Sequence, residues 1–452
     1  MEKKKPSGLA LIPFLVFVAF YLISGIVLQM NGVEMAFYQI PSPISITLGI
    51  IVAFVMFKGT IDEKVNSFVS GCGDENIIIM CIIYLLAGAF AAVCKKIGAV
   101  DSVVNLFLTY IPVKFITAGV FIISVFLSTA SGSSVGTILA LGPIAFELSV
   151  KGDLNSALML GALVGGAMAG DNLSLISDTT IAATRTQNVQ NKDKFLMNFK
   201  IAIPAILLIF IIYLIAARPT SDVPLDIGTY NFLKIIPYLF VIIASLSGVN
   251  VFVVLMSGTI IASIIGGFYG AFDGLISLAQ TIYEGFTSMT EIFLLSMLTG
   301  GLAHMVRQAG GIDWLILKIK KMIKGSRSVE LAVASLVSLI NLSVANNTVS
   351  IIIAGPIAKD LSNEYKVDPR KMASLLDIFS CIIQGIIPYG AQLLIASGFS
   401  EGKVSPVEIV PFAWYCFALA IFAIISTFLK FSNAKNEWDF ENDRPMELAS
   451  NK

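Results

Sequence analysis

The sequence is poor in charge: Asp, Glu, Lys and Arg make up 13% of its 452 residues, about half the share of an average soluble domain. It holds one histidine, His304, and five cysteines, Cys72, Cys81, Cys94, Cys381 and Cys416. Each shortage excludes something. An odd set of cysteines without CxxC spacing, four of them inside apolar runs, makes neither a disulfide framework nor a metal site. Thirty basic and thirty acidic residues cancel, which leaves no basic surface for nucleic acid. Gly132-Ser-Ser-Val-Gly136 has the GxSxG form, but it follows no strand and His304 stands on another apolar segment, which argues against a serine hydrolase. What is abundant is apolar surface, with 56% hydrophobic residues and a mean hydropathy of +0.86. No soluble core of this length buries so much, and the chain reads as a polytopic helical membrane protein. A soluble enzyme, a secreted disulfide scaffold and a nucleic-acid binder are excluded.

A helix needs about 20 apolar residues to cross a bilayer. Ten segments qualify: 8–28, 42–58, 77–94, 155–184, 199–217, 232–247, 250–271, 291–306, 371–398 and 410–429. The first follows Met1–Lys5 without a small-residue cleavage site and reads as an uncleaved helix. Two further stretches, 115–148 and 329–358, are too long for one span and are interrupted by Ser128–Ser134 and Asn341–Thr348. Both are expected to be re-entrant hairpins. With both termini in the cytoplasm, 23 of the 30 Lys and Arg fall on the inner side, as the positive-inside rule requires. The segment 310–328 alternates apolar and basic residues and reads as an interfacial amphipathic helix.

An internal repeat organises these segments. Ser133 to Ala145 aligns with Asn346 to Ala358 without gaps at a shift of 213 residues. The expected units are a first repeat over 1–217 (hairpin 115–148, broken helix 155–184), a linker at 218–231, a second repeat over 232–430 (hairpin 329–358, broken helix 371–398), and a cytoplasmic tail at 431–452. Five crossings per half is an odd number, so the second copy is expected upside down. The fold class is all-α: two inverted repeats, each of five transmembrane helices plus one re-entrant hairpin, with broken helices at the midplane. That is the plan of secondary transporters.

Ionisable residues within spans are costly and point to function. Gly170-Asp-Asn-Leu-Ser-Leu-Ile-Ser-Asp-Thr-Thr180 lies midway in the fourth span. On a continuous helix Asp171 and Asp178 would stand about 10 Å apart along the axis, too far to share an ion. Gly165, Gly166 and Gly170 favour an unwound segment there, whose oxygens suit a hard cation such as Na+. The cation and proton candidates are Asp171, Asp178, Ser177 and Thr179, with Ser133, Ser134 and Thr137 from the first hairpin tip. Asp377 is a second-rank proton or ion site. The matching break in the second half, Gly385 to Gln392, carries no acid, so Tyr389 and Gln392 join Asn346, Asn347 and Thr348 as candidates for an organic ligand. No cofactor, catalytic residue or metal beyond Na+ is expected.

The pattern Gly170-Asp171 followed by Ser177-Asp-Thr-Thr180 resembles the signature of the NhaC-type Na+/H+ antiporter family, within the broader ion transporter superfamily. The likeness runs from the first span to the last. The Asn347-Thr348 tip is similar to the Ser-Asn-Thr tips of dicarboxylate transporters in that superfamily. Where the family commonly has Ser-Pro, Ser174 is followed by Leu175, and the run continues into Ile181–Arg185, which places the chain in a divergent branch. The resemblance implies a secondary transporter of the bacterial cytoplasmic (inner) membrane, a homodimer with an elevator-like transport domain, and Na+ near the first hairpin and the broken fourth span. It leaves two functions open. One is Na+/H+ exchange; the other is Na+-coupled transport of an amino acid or small carboxylate, as in family members that move lysine, methionine, malate or lactate. A passive channel fits poorly with two hairpins entering from opposite sides.

Overall fold

The computed structural model describes residues 6–31, 33, 39–175, 177–218, 228–247, 249–321, 323–429, 431–432, 434 and 437–445. Met1–Lys5, most of the 218–231 linker and the last residues of the tail lie outside them. The first half runs α1 (Ile12–Met30), α2 (Ser42–Met56), α3 (Ile61–Cys72), α4 (Glu75–Lys96), α5 (Ala99–Tyr110), α6 (Ile116–Ser131), α7 (Ser134–Lys151), α8 (Ser156–Leu173), α9 (Asp178–Gln187) and α10 (Asn191–Ala216). The second half repeats the order: α11 (Phe232–Leu246), α12 (Val251–Phe268), α13 (Leu275–Ser288), α14 (Thr290–Gln308), α15 (Gly311–Lys320), α16 (Ser326–Val344), α17 (Asn347–Tyr365), α18 (Pro369–Gln384), α19 (Ala391–Gly398), a single turn α20 (Pro406–Ile409), and α21 (Trp414–Leu429). Helices dominate because lipid offers no partner for backbone N–H and C=O groups, which helices satisfy internally.

Among the described residues nine helices are long and apolar enough to cross a membrane, or ten if Pro406–Phe412 and Trp414–Leu429, bent by 49°, form one span. Three hairpin limbs, α6, α7 and α16, pass the same test, so length alone does not tell a limb from a span.

Helices α3 and α13 lie between apolar spans, in 58–76 and 272–290, where hydropathy alone predicts connections. Both are short and amphipathic, and α3 opens on a capping box in which Thr60 and Glu63 bond reciprocally. Each packs across to the other half through glycines. A Cβ on Gly71 of α3 would lie 2.5 Å from the Gly300 carbonyl of α14, and one on Gly285 of α13 would lie 2.4 Å from the Gly88 carbonyl of α4. Only hydrogen side chains let these backbones approach so closely.

The buried apolar side chains form two clusters. The larger includes α4, α6–α8, α10 and α21; the smaller joins α9 and α15–α18, and Phe379 touches both. All five cysteines are free thiols. After α21 a two-strand hairpin, β1 (Trp438–Asp439) with β2 (Arg444–Pro445), folds back over the ends of α9 and α17. There Asp443 pairs with Lys359 at 2.6 Å and accepts from Asn188 at 2.8 Å. Partial burial would raise its carboxyl, but the bonds from Asn188 and Lys359 outweigh it and hold it below the usual carboxylate range. This contact therefore persists above that range and is lost only as pH falls below it.

Candidate functional site

Helix α8 is regular through Leu173 and α9 opens at Asp178, so the break follows the glycines and does not fall on them. The expectation that Gly165, Gly166 and Gly170 unwind the backbone is corrected: Gly166 and Gly170 let α8 lie directly on α6. A Cβ on Gly170 would stand 2.4 Å from both Ser128 Cβ and the Val125 carbonyl. Gly170→Ala is therefore expected to cost about 1–3 kcal/mol through overpacking and to push Asp171 off its partner, read as a lower unfolding midpoint. A stability equal to wild type would refute the close-packing role.

At the end of α8, Asp171 is 5% exposed. Its Oδ2 accepts from Ser134 Oγ at 2.6 Å, and its Oδ1 lies 3.4 Å from Thr179 Oγ1. Ser177 caps α9 by accepting from Thr180 N, while its hydroxyl reaches the Asp171 carbonyl and Thr179. The C-terminal ends of α6 and α8 meet here, and helix C-termini carry partial negative charge that favours a cation.

Both hairpin tips converge on this point. Ser133 caps α7 and Asn346 caps α17, each accepting from the backbone three residues on. The residue before each cap is left-handed, Gly132 at φ 71° and Ala345 at φ 51°. Alanine is strained there by about 1–2 kcal/mol, partly offset by the unfolded-state freedom of glycine. Ala345→Gly should thus stabilise the protein by roughly 0.5 kcal/mol or more; a lowered midpoint of unfolding would contradict this. A chain of amides links the tips: Gln392 Nε2 donates to Ser134 Oγ at 3.1 Å, and Gln384 Nε2 reaches Gln392 Oε1 at 2.9 Å and the Ala345 carbonyl at 3.2 Å.

A cavity of about 560 Å³ lies along this seam. Of the residues anticipated, Asp171, Asp178, Thr179, Ser133, Ser134, Asn346, Asn347, Thr348 and Gln392 line it. The others do not. Ser177 is buried behind Asp171, and Thr137 is buried in α7. Tyr389 turns away, stacking edge-on with Phe14 and Phe17 and donating to the Leu342 carbonyl. The cavity extends toward the N-terminal ends of α4 and α12, through Ile79 and Val251, and toward Arg185 near the end of α9. A second cavity, of about 660 Å³, sits at the opposite end of α4 beside Lys95 and Lys96 and reaches none of the anticipated residues.

Asp377 stands behind the wall in a fully buried pair with Lys194, at 2.7 Å. The Lys194 ammonium also donates to the Asn172 carbonyl at 2.8 Å and to Thr180 Oγ1 at 2.7 Å, which uses its three hydrogens. Asp377 Oδ2 accepts further bonds from Asn172 and Asn198, both at 2.8 Å. Asp377 Oδ1 and Asn172 Oδ1 have no hydrogen-bond partner among the described residues, and buried oxygens in that state are rare. Lys194, Asn198 and Gln384 escaped the sequence reading. Hydropathy starts the fifth span at residue 199, whereas α10 begins at Asn191 and only 188–190 connect it to α9. A signal existed: Lys194, Asn198, Ile201 and Ala205 lie at helical spacing on the buried face of α10.

The model of the Na+/H+ antiporter family matches residues 7–218 and 219–431. The chain is 23% identical to the malate-2H(+)/Na(+)-lactate antiporter of Bacillus subtilis (strain 168), over 80% of this chain and 82% of that protein. It is 22% identical to the Na(+)/H(+) antiporter NhaC of the same organism, over 82% and 86%. To the arginine/ornithine antiporter ArcD of Halobacterium salinarum it is 23% identical, over 99% and 96%. Among solved structures, the YdaH transporter of Alcanivorax borkumensis covers 92% of this chain and 98% of its own, at 14% identity and a TM-score of 0.41. The two matched segments together span nearly the whole chain: it is a multi-pass membrane protein, a secondary transporter, and it belongs to the Na+/H+ antiporter family.

Proposed function

We propose that the chain exchanges Na+ for H+ at Asp171, in the cytoplasmic membrane of a bacterium, as a homodimer with both termini in the cytoplasm. The observation that carries the reading is the Asp171 carboxylate, held on the cavity wall among the hydroxyls of Ser134 and Thr179. These are hard oxygen donors, the kind that Na+ prefers. An unloaded carboxylate is costly to move past apolar surfaces. Bound Na+ or a bound proton neutralises it, so the carrier moves when loaded with either and exchanges one for the other. The two halves, as inverted repeats, would present Asp171 to each face in turn. Under the positive-inside orientation the site cavity faces the cytoplasm, because the N-terminal ends of α4 and α12 lie on that side.

Na+-coupled movement of an organic solute is the second reading. It is favoured by a cavity of about 560 Å³, far larger than a single cation fills, walled on one side by the neutral tip of the second hairpin.

The test is a Na+ pulse applied at fixed membrane potential to proteoliposomes loaded with a pH-sensitive dye. A Na+-driven pH change supports exchange. Its absence from demonstrably folded protein sinks the first reading and leaves the second to a Na+-gradient uptake screen.

A further inference from the structure

The α7 tip and the α17 tip share one geometry but not one electrostatic environment. At α7 the positive helix N-terminus faces the chain's own anion, because Ser134 Oγ donates to Asp171. At α17 the equivalent N-terminus faces the cavity with no carboxylate of its own. Among the described lining residues the only acids are Asp171 and Asp178, and both belong to the first half. The side chains at the α17 tip are set to donate. The Asn346 carboxamide oxygen is occupied by Val349 N at 3.0 Å and that of Asn347 by Thr348 N at 3.0 Å. That leaves their N–H₂ groups, and among the described residues Asn346 Nδ2 makes only a long contact of 3.9 Å with Met80 Sδ.

Arg185 lines the same cavity. It is exposed, and among the described residues it forms no ion pair. Its position near the end of α9 also suits the helix dipole, but that role needs no cavity. Asp178 and Arg185 are two helical turns apart on α9, about 10 Å along the axis. One wall of the cavity thus runs from carboxylate to guanidinium.

We infer that this cavity holds, beside the cation cluster, a subsite for the carboxylate of a small organic solute, formed by Arg185 with the carboxamides of Asn346 and Asn347. The inference rests on the Na+-coupled reading of the same cavity. A guanidinium takes a carboxylate in two parallel hydrogen bonds, and a helix N-terminus adds backbone donors and positive potential. Na+ at Asp171 cancels one of the two negative charges lining the cavity, so Na+ and carboxylate bind with mutual benefit, and each raises the affinity for the other about fivefold or more.

The test uses the purified full-length protein in detergent at constant chloride, with either Na+ or choline as the cation. Succinate, alanine and butylamine are titrated and the unfolding midpoint is followed. Succinate or alanine should protect in Na+, with butylamine inert. Arg185→Gln should need about 10- to 100-fold more of the protecting solute, and Arg185→Lys an intermediate amount. The Na+ dependence of the midpoint should be unchanged in both variants, which also shows that they are folded. Equal protection of wild type and Arg185→Gln overturns the Arg185 subsite while the organic-solute reading stands. Protection of the same size by chloride alone, titrated without any organic solute, overturns it in favour of an inorganic anion. No protection by any solute, with Na+-driven proton exchange intact, removes both the subsite and the organic-solute reading.

Discussion

Asp171→Asn should reduce Na+-dependent transport by a hundredfold or more, with the protein still folded. Asparagine keeps the shape of the side chain and an oxygen that can accept from Ser134, so the loss is chiefly that of one negative charge. A cation about 4 Å away gains roughly 4 kcal/mol from that charge at an effective dielectric of about 20, and each 1.4 kcal/mol is a tenfold change in binding. Replacing a charge-assisted hydrogen bond with a neutral one should cost only about 1–2 kcal/mol of stability. Radiolabelled Na+ flux into proteoliposomes, run beside a thermal unfolding curve, separates the two effects. Flux within threefold of wild type would remove Asp171 from the cation site. Ser134→Ala tests the same assignment with a smaller change, since it removes one oxygen ligand and keeps the charge.

The buried pair behind the site sets up the second large effect. Lys194→Met leaves the Asp377 carboxylate at 0% exposure without its counter-charge, and it also removes the donors to Asn172 and Thr180. Breaking a buried pair by removing one member typically costs about 3–5 kcal/mol. Replacing both members by apolar residues is often near neutral. Lys194→Met combined with Asp377→Leu should accordingly recover much of the stability that the single change loses. Denaturant unfolding of both variants in detergent measures this. A single variant within about 1 kcal/mol of wild type would mean that the pair is not held dry, against the usual penalty for a buried charge. The pair also joins α10 to α18 and, through Asn172, to the end of α8. A transport defect in a stable double variant would then report on how the broken helix is positioned.

Hydropathy and the repeat made much of the architecture legible, because helices in lipid must be long and apolar and because Ser133–Ala145 reappears at Asn346–Ala358. The acids of the cavity were legible for a related reason: a carboxylate within an apolar run stands out. Lys194 did not stand out, since a cation at the edge of an apolar run reads as a loop charge until the helix is extended back by two turns. The glycines of α8 misled because one residue type serves both a flexible backbone and a close approach of two backbones, and composition does not separate them. Tyr389 was placed by its position in a helix break, but a large ring beside two phenylalanines gains more from burial than from facing a polar cavity. Helices α3 and α13 were missed because 12 and 14 residues with polar faces fall below any spanning window.

Those two short helices bear on how the protein is made. Each completes its glycine seam only with the opposite half, so α4 waits beside lipid with Gly88 uncovered until α13 brings Gly285. About 200 residues separate them, and at roughly 5–20 residues per second synthesis needs 10–40 s to close that gap. For that interval the first half is an assembly intermediate with an open slot. Insertion machinery or a membrane chaperone that shields the slot would govern yield more than final stability does. Truncation after the first half should yield a chain that inserts into the membrane and is then degraded.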